Sequence, residues 1–177
     1  EELKCALTGV TDVSPLKMLS NLKMLDFSYC KISDISPLEN LQKLEELDLN
    51  DCEVENLAPL KNMAELKILV LFSTPVSDIS VLAKLKNLKS LNLGFSEVAE
   101  LASLENLALE SLGLQGTNVS DISPLKNMIS LKFLNIEGTE VDSISALKGL
   151  RNLEELLIRG LNIPQEEIIK LQKILPK

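Results

Sequence analysis

Cys5, Cys30 and Cys52 are the residues of this chain best able to react, and Cys30 and Cys52 stand 22 positions apart. Thiols offer a disulfide, a metal site or a nucleophile. Zinc sites of ordinary spacing draw on C-x-x-C pairs and histidines, and the 177 residues contain neither. Acid–base work at neutral pH falls first to histidine. With none present, and no glycine-rich phosphate loop, no catalytic residue is assigned. Spacing by one structural period would stack Cys30 on Cys52 about 5 Å away, within reach of a disulfide. All three are read instead as buried, reduced and unreactive small residues, with Cys5 also pointing inward. The remaining candidates are carboxylates. Asp26, Glu46, Asp48 and Asp51 form a close acidic set. Calcium needs six to eight oxygens, which flat strands rarely converge, so no metal and no cofactor is expected.

A repeat positions these residues. The stretch SDISPL at 33–38 returns at 120–125, with TDVSPL at 11–16 and SDISVL at 77–82. Leu25, Leu47, Leu69, Leu91, Leu112, Leu134 and Leu156 keep one beat, and Leu22, Leu44, Leu66, Leu88, Leu109, Leu131 and Leu153 keep it three residues earlier. The step is 22 residues except for one of 21, where LKNL at 85–88 shortens to LAL at 107–109. A fixed period means one supersecondary unit stacked on itself. The L-x-L core of each unit alternates as a strand with one buried face does, and the regular return lays successive strands side by side and parallel. The return path carries Ser36-Pro37-Leu38-Glu39. Proline favours the first helical position and Ser-x-x-Glu has the spacing of a capping box, so a short helical turn is expected on the opposite wall. No unit can bury its apolar face alone, so the array folds as a nearly one-dimensional stack. One charged column, Lys23, Glu45, Lys67, Lys89, Glu110, Lys132 and Glu154, reads as structural pairing between neighbours.

The pattern L-x-x-L-x-L/F-x-x-(C/T/S)-x-I/V-x-D-I-x-P-L resembles the leucine-rich-repeat family, in the 22-residue class of bacterial internalins and of a eukaryotic regulator of protein phosphatase 1. The DISPL stretches at 34–38 and 121–125 carry the internalin flavour. Where the family usually has asparagine, this chain has Thr8, Cys30, Cys52, Thr74, Ser96, Thr117 and Thr139, small groups that can still bond the backbone of the bend. The resemblance implies an α/β fold: a curved, right-handed leucine-rich-repeat solenoid with parallel strands on the concave face and short helical or 3-10 turns on the convex face. About seven to eight repeats span 1–163. Residues 164–177 break the period, and Ile168, Leu171 and Leu175 share one helical stripe, so a C-terminal capping helix is expected there. No equivalent cap precedes residue 1, so Leu3, Cys5 and Leu7 are expected to form an open core edge unless something upstream covers it.

Function should then lie on the concave strand face. Most outward positions there are polar, but the third repeat offers Ile68, Val70 and Phe72 in succession, with Met24 and Tyr29 before them and Phe95 and Phe133 after. Contiguous exposed apolar groups mark interaction sites, and Asp26, Glu46, Asp48 and Asp51 would rim this one. The expected partner is a protein with a basic patch. A net charge of −8, from 18 basic and 26 acidic residues, argues against nucleic acid, which needs a basic face. No apolar run is long enough to insert in a membrane, and a monomer is expected. The resemblance implies a non-catalytic recognition module of a bacterial surface or secreted protein. A cytosolic regulatory subunit that clamps an enzyme and the targeting domain of a larger enzyme are the alternatives. No signal peptide is visible in EELKCALTGV, and free thiols leave the cytoplasm open.

Overall fold

Each L-x-L core becomes a strand of three residues, because the leucine between two outward side chains is the one that must leave water. In a computed structural model that describes residues 1–175, these strands are β1 (Glu2–Lys4), β2 (Met24–Asp26), β3 (Glu46–Asp48), β4 (Ile68–Val70), β5 (Ser90–Asn92), β6 (Ser111–Gly113), β7 (Phe133–Asn135) and β8 (Glu155–Leu157). They form one parallel sheet in sequential order. Leu3 pairs in register with Leu25, and Leu25 with Leu47, and so on to Leu134 with Leu156. The 21-residue step leaves this register intact, since Ser90 pairs with Ser111 and Leu91 with Leu112. The deletion lies between Leu107 and Leu109, on the return to the strand from the other wall. That wall carries short 3-10 turns such as Ser36–Leu38, Ala58–Asn62 and Ser123–Leu125, with proline at the start of each of these three. Leu25, Leu47, Leu69, Leu91, Leu112 and Leu134 and the facing Leu38, Leu60, Leu82, Leu104, Leu125 and Leu147 fill the space between the walls, all of them buried. Leu3 and Leu156, at the two ends, are only partly covered. Leu7 departs from the expected core edge: it projects outward from a turn and is 77% exposed.

The repeated aspartate explains how each bend is made. The Ser36 N–H donates to Asp34 Oδ1 at 2.8 Å and its hydroxyl to Asp34 Oδ2 at 3.0 Å. Ser14 with Asp12 and Ser123 with Asp121 repeat both bonds, and Ser80 donates its N–H to Asp78. Asn56 does the same for the Ala58 N–H at 2.9 Å without a charge. The capping-box expectation for Ser36 and Glu39 is therefore corrected. Ser36 lies inside the 3-10 turn, not before it, so its own N–H is the orphan donor and Asp34 is the acceptor that satisfies it. The carboxyls of Asp12, Asp34, Asp78 and Asp121 are held below their ordinary range, first by the serine N–H and then by the serine hydroxyl.

The seventh repeat has Ser143 where five of the six before it have a carboxylate and one has Asn56, and helix α1 (Gln165–Gln172) supplies a carboxylate from outside the repeat. Glu167 of α1 accepts the Ile144 N–H at 2.9 Å and the Ser143 hydroxyl at 3.1 Å. Leu171 of the same helix is buried, and Ile168 and Leu175 pack partly against the last repeat. The expected stripe thus faces the end of the stack. Of the cap expected over 164–177, Pro176 and Lys177 lie outside the described residues.

Two outcomes are expected. A carboxyl lowered in the native state stabilises the fold when ionised. That contribution is complete above the unfolded value, about 3.9, and vanishes as pH falls through the lowered native value. Urea unfolding followed into acid should show this decline, and Asp34→Asn, which copies Asn56, should keep the bend and flatten the decline. An acid limb identical in Asp34→Asn and the parent would count against the assignment. On the reading that α1 closes the stack, Glu167→Ala should cost about 1–2 kcal/mol, read as a lower melting temperature. An unchanged melt would show that the helix only rests on the array.

Candidate functional site

The sheet face is built from two outward columns on the strands and a third just beyond them. The first runs Met24, Glu46, Ile68, Ser90, Ser111, Phe133 and Glu155, and the second Asp26, Asp48, Val70, Asn92, Gly113, Asn135 and Leu157. Met24, Asp26, Glu46, Asp48, Ile68 and Val70 meet in one hollow of about 270 Å3, with Lys4 at its edge. Six of the expected binding residues are thus contiguous. Val70 and Phe133 are opposite walls of a second hollow of about 220 Å3, whose floor between them is Ser90, Asn92, Ser111 and Gly113. That floor carries no charge.

Asp26 and Asp48 sit opposite each other in register. Each closes the turn that follows its strand. Asp26 Oδ1 accepts the Ser28 N–H at 2.9 Å and the Ser28 hydroxyl at 2.6 Å, and Asp48 Oδ1 accepts the Asn50 N–H at 2.8 Å. Asn92 and Asn135 make the same bond, to Gly94 at 3.0 Å and Glu137 at 2.9 Å. An uncharged amide therefore suffices for the turn, and the two negative charges are additional to it. Burial pushes the Asp48 carboxyl up from its ordinary value and the charge on Asp26 adds to this, against a lowering by the Asn50 N–H. Asp26, Glu46, Asp48 and Asp51 form no ion pair among the described residues. The ordered charged column lies elsewhere and pairs as expected except at Glu154, which forms no ion pair among the described residues: Glu45 sits between Lys23, at 2.7 Å, and Lys67, which bring its carboxyl down to about 2. Glu110 likewise sits between Lys132 at 2.7 Å and Lys89 at 3.9 Å.

Tyr29, Asp51 and Phe95 are not strand residues, as their place in the expected patch implied. They occupy a turn after each strand, in a column where every backbone is left-handed. Leu7, Tyr29, Asp51, Ser73 and Phe95 have φ between 56° and 61°, and Gly116, Gly138 and Gly160 complete the column at 67°, 63° and 84°. For a bulky L-residue this region costs roughly 1–2 kcal/mol. The cause is the tight turn itself, in which Cys30 N–H returns to the Phe27 carbonyl at 3.0 Å and Cys52 N–H to Leu49 at 3.1 Å. Phe95 packs edge-on against Phe72, ring centroids 5.1 Å apart, and its ring covers Gly116, where a Cβ would lie 2.7 Å from it. The sequence holds the signal for this column: three glycines at the repeat period, in line with Phe95, Tyr29 and Leu7.

Cys30 and Cys52 are buried and unpaired, and each donates to a carbonyl of the preceding repeat, Cys5 O at 3.1 Å and Phe27 O at 3.2 Å. Burial pushes the Cys52 thiol up to about 11. Cys5 is also free and packs against the core as its column implied, but it is only partly buried where full burial was expected, because no strand of the described array covers the outer side of β1. Thr74, Ser96, Thr117 and Thr139 bond the carbonyl three residues back in their own unit at 2.7–2.8 Å. Among the described residues no group of histidine, cysteine and carboxylates is placed to hold a metal, and no helix is long and apolar enough to cross a membrane.

Comparison with known proteins agrees with this architecture. The family model of leucine-rich repeats in two copies matches residues 20–62. A search of curated protein sequences returns no significant match. Among solved structures, internalin C2 of Listeria monocytogenes is 30% identical with a TM-score of 0.87, over 89% of this chain and 70% of its own. A second Listeria monocytogenes internalin, inlF, is 29% identical with a TM-score of 0.76, over 96% of this chain and 57% of its own. A leucine-rich-repeat protein of Leptospira interrogans shares the fold at 18% identity and a TM-score of 0.74, over 99% of this chain and 58% of its own.

Because a raised carboxyl disfavours the native state when ionised, Asp48 costs stability as pH rises through its native value. Asp48→Asn keeps the acceptor for Asn50 and is expected to raise the melting temperature at neutral pH, with the gain shrinking in acid. A lower melting temperature at neutral pH would show that the charge itself holds the turn.

Proposed function

The chain belongs to the leucine-rich-repeat family, in company with the Listeria internalins, and from this we propose that it is a non-catalytic module that binds a protein partner on its strand face. The observation that carries the reading is the surplus charge at Asp26 and Asp48. Their turn bonds are made equally well by Asn92 and Asn135, so the carboxylates answer to something other than the fold. Like charges opposite one another on a sheet destabilise it, and a basic group docked between them removes the repulsion. Ile68, Val70 and Phe72 beside them supply an apolar centre, and Met24, Glu46, Tyr29, Asp51 and Phe95 its surround. An apolar core with a charged rim is the anatomy of a protein interface. Phe133 forms the far wall of the neighbouring uncharged hollow and extends the surface to the seventh repeat. The acidic rim favours a partner with a basic patch and an association that salt weakens. The likeness to internalins supports a bacterial surface or secreted setting.

The test begins with peptides selected on the immobilised chain from a displayed random library, then measured as synthetic peptides by calorimetry. Ile68→Ser combined with Val70→Ser should remain folded by circular dichroism, because Leu69 and Leu71 hold the core. It should weaken binding about tenfold or more, and binding to the parent should fall as salt rises. A folded double variant with unchanged affinity would show that the strand face is ordinary surface.

A further inference from the structure

We propose that the partner is seated along the ridge of left-handed turns at the margin of the sheet, where it sets a basic side chain between two apolar anchors about 14 Å apart; this rests on protein binding by the adjoining strand face. Eight units place a residue in this column, and three of them use glycine, which adopts the left-handed region without strain. The turn therefore needs nothing more than glycine. Yet Leu7, Tyr29 and Phe95, at φ 58°, 61° and 56°, put large apolar side chains there and leave them 77%, 52% and 59% exposed. Such side chains gain little from burial and strain the backbone, so stability does not account for them. Strained, exposed and aromatic together point to use.

The ridge is also rigid. The Tyr29 N–H donates to Asn50 O, Asp51 to Phe72 O, Ser73 to Gly94 O and Phe95 to Gln115 O, at 2.7–2.8 Å, so the ladder of the sheet continues through the turns. At about 4.8 Å per strand, Tyr29 and Phe95 stand three steps, about 14 Å, apart. Phe72 and Gly116 hold the Phe95 ring from beneath. Between the anchors lies Asp51, bonded to the Ser73 hydroxyl at 3.2 Å, with no cation paired to it among the described residues. Charge complementarity thus selects a lysine or arginine at the middle of the occupant. It also disfavours a second copy of this chain, whose own ridge would set Asp51 near Asp51.

The experiment uses the full chain and the selected peptides described above. Enriched sequences should carry a basic residue between two apolar ones. Tyr29→Asn with Phe95→Asn should melt at or above the parent, since asparagine tolerates the left-handed turn, and should lose about tenfold or more in peptide affinity. Asp51→Asn should keep the fold and reduce the salt dependence of binding. Full affinity in the ridge variant overturns the proposal; if the Ile68→Ser, Val70→Ser variant has meanwhile lost binding, the strand-face reading survives it. Full affinity in both overturns both readings. Self-association of the parent in sedimentation that the ridge variant abolishes would assign the ridge to a second copy and overturn the proposed occupant.

Discussion

Every feature of this molecule depends on leucine covering leucine across repeats. A unit of 22 residues has two walls, one strand and one short turn, and the apolar side chains between them have water on both flanks until another unit arrives. Leu47 is covered by Leu25 on one side and Leu69 on the other, and the contrast with Leu3 and Leu156, each with one neighbouring strand, shows what the covering does. The sheet register follows from that requirement. It is why the 21-residue step shortens only the return to the strand and leaves Ser90 and Ser111 aligned. Function is then confined to side chains that the columns do not use.

That division decides how much of the molecule is legible before a structure is known. The strands, their order and their register follow from the leucine columns, because a shift of one residue would turn a whole column into water. The acidic and apolar hollow was legible for the same reason: Met24, Asp26, Glu46, Asp48, Ile68 and Val70 are the outward residues of three adjacent strands. The bends were less so. Asp34, Ser36 and Glu39 offer two ways to cap one turn, and only the position of Ser36 inside the 3-10 turn selects Asp34. Tyr29 and Phe95 read as strand residues because alternation says nothing about where a strand stops, and the sign of φ leaves its trace only in the glycines of later units. The bond from Glu167 to Ile144 was not legible at all, since helix and loop meet through docking and not through the period.

Two classes of carboxylate emerge from this arrangement, and they pull stability in opposite directions with pH. Those of the bends, such as Asp34 and Asp121, are exposed and favoured as anions by N–H and hydroxyl donors. Asp48 on the strand face is disfavoured as an anion by burial and by Asp26. The first class serves the fold, and the second costs it stability at neutral pH, a cost that the proposed contact with a basic partner would offset.

The hydroxyls of Thr74, Ser96, Thr117 and Thr139 bond carbonyls of their own units, and Asp12, Asp34, Asp78 and Asp121 each cap a turn two residues away. In these units the polar chemistry that shapes a bend is carried within the segment that bends; Cys30 and Cys52, which bond the preceding unit, and Ser143, served by Glu167, are exceptions. Most of what passes between units is generic: backbone bonds, apolar contact and exposed ion pairs of small value, with a few side-chain bonds such as that of Ser73 to Asp51. A segment of this kind can be copied or removed in frame without compensating changes next door. The lineage is thus free to lengthen or shorten its strand face by duplication, and to diversify only the few outward letters of each new copy.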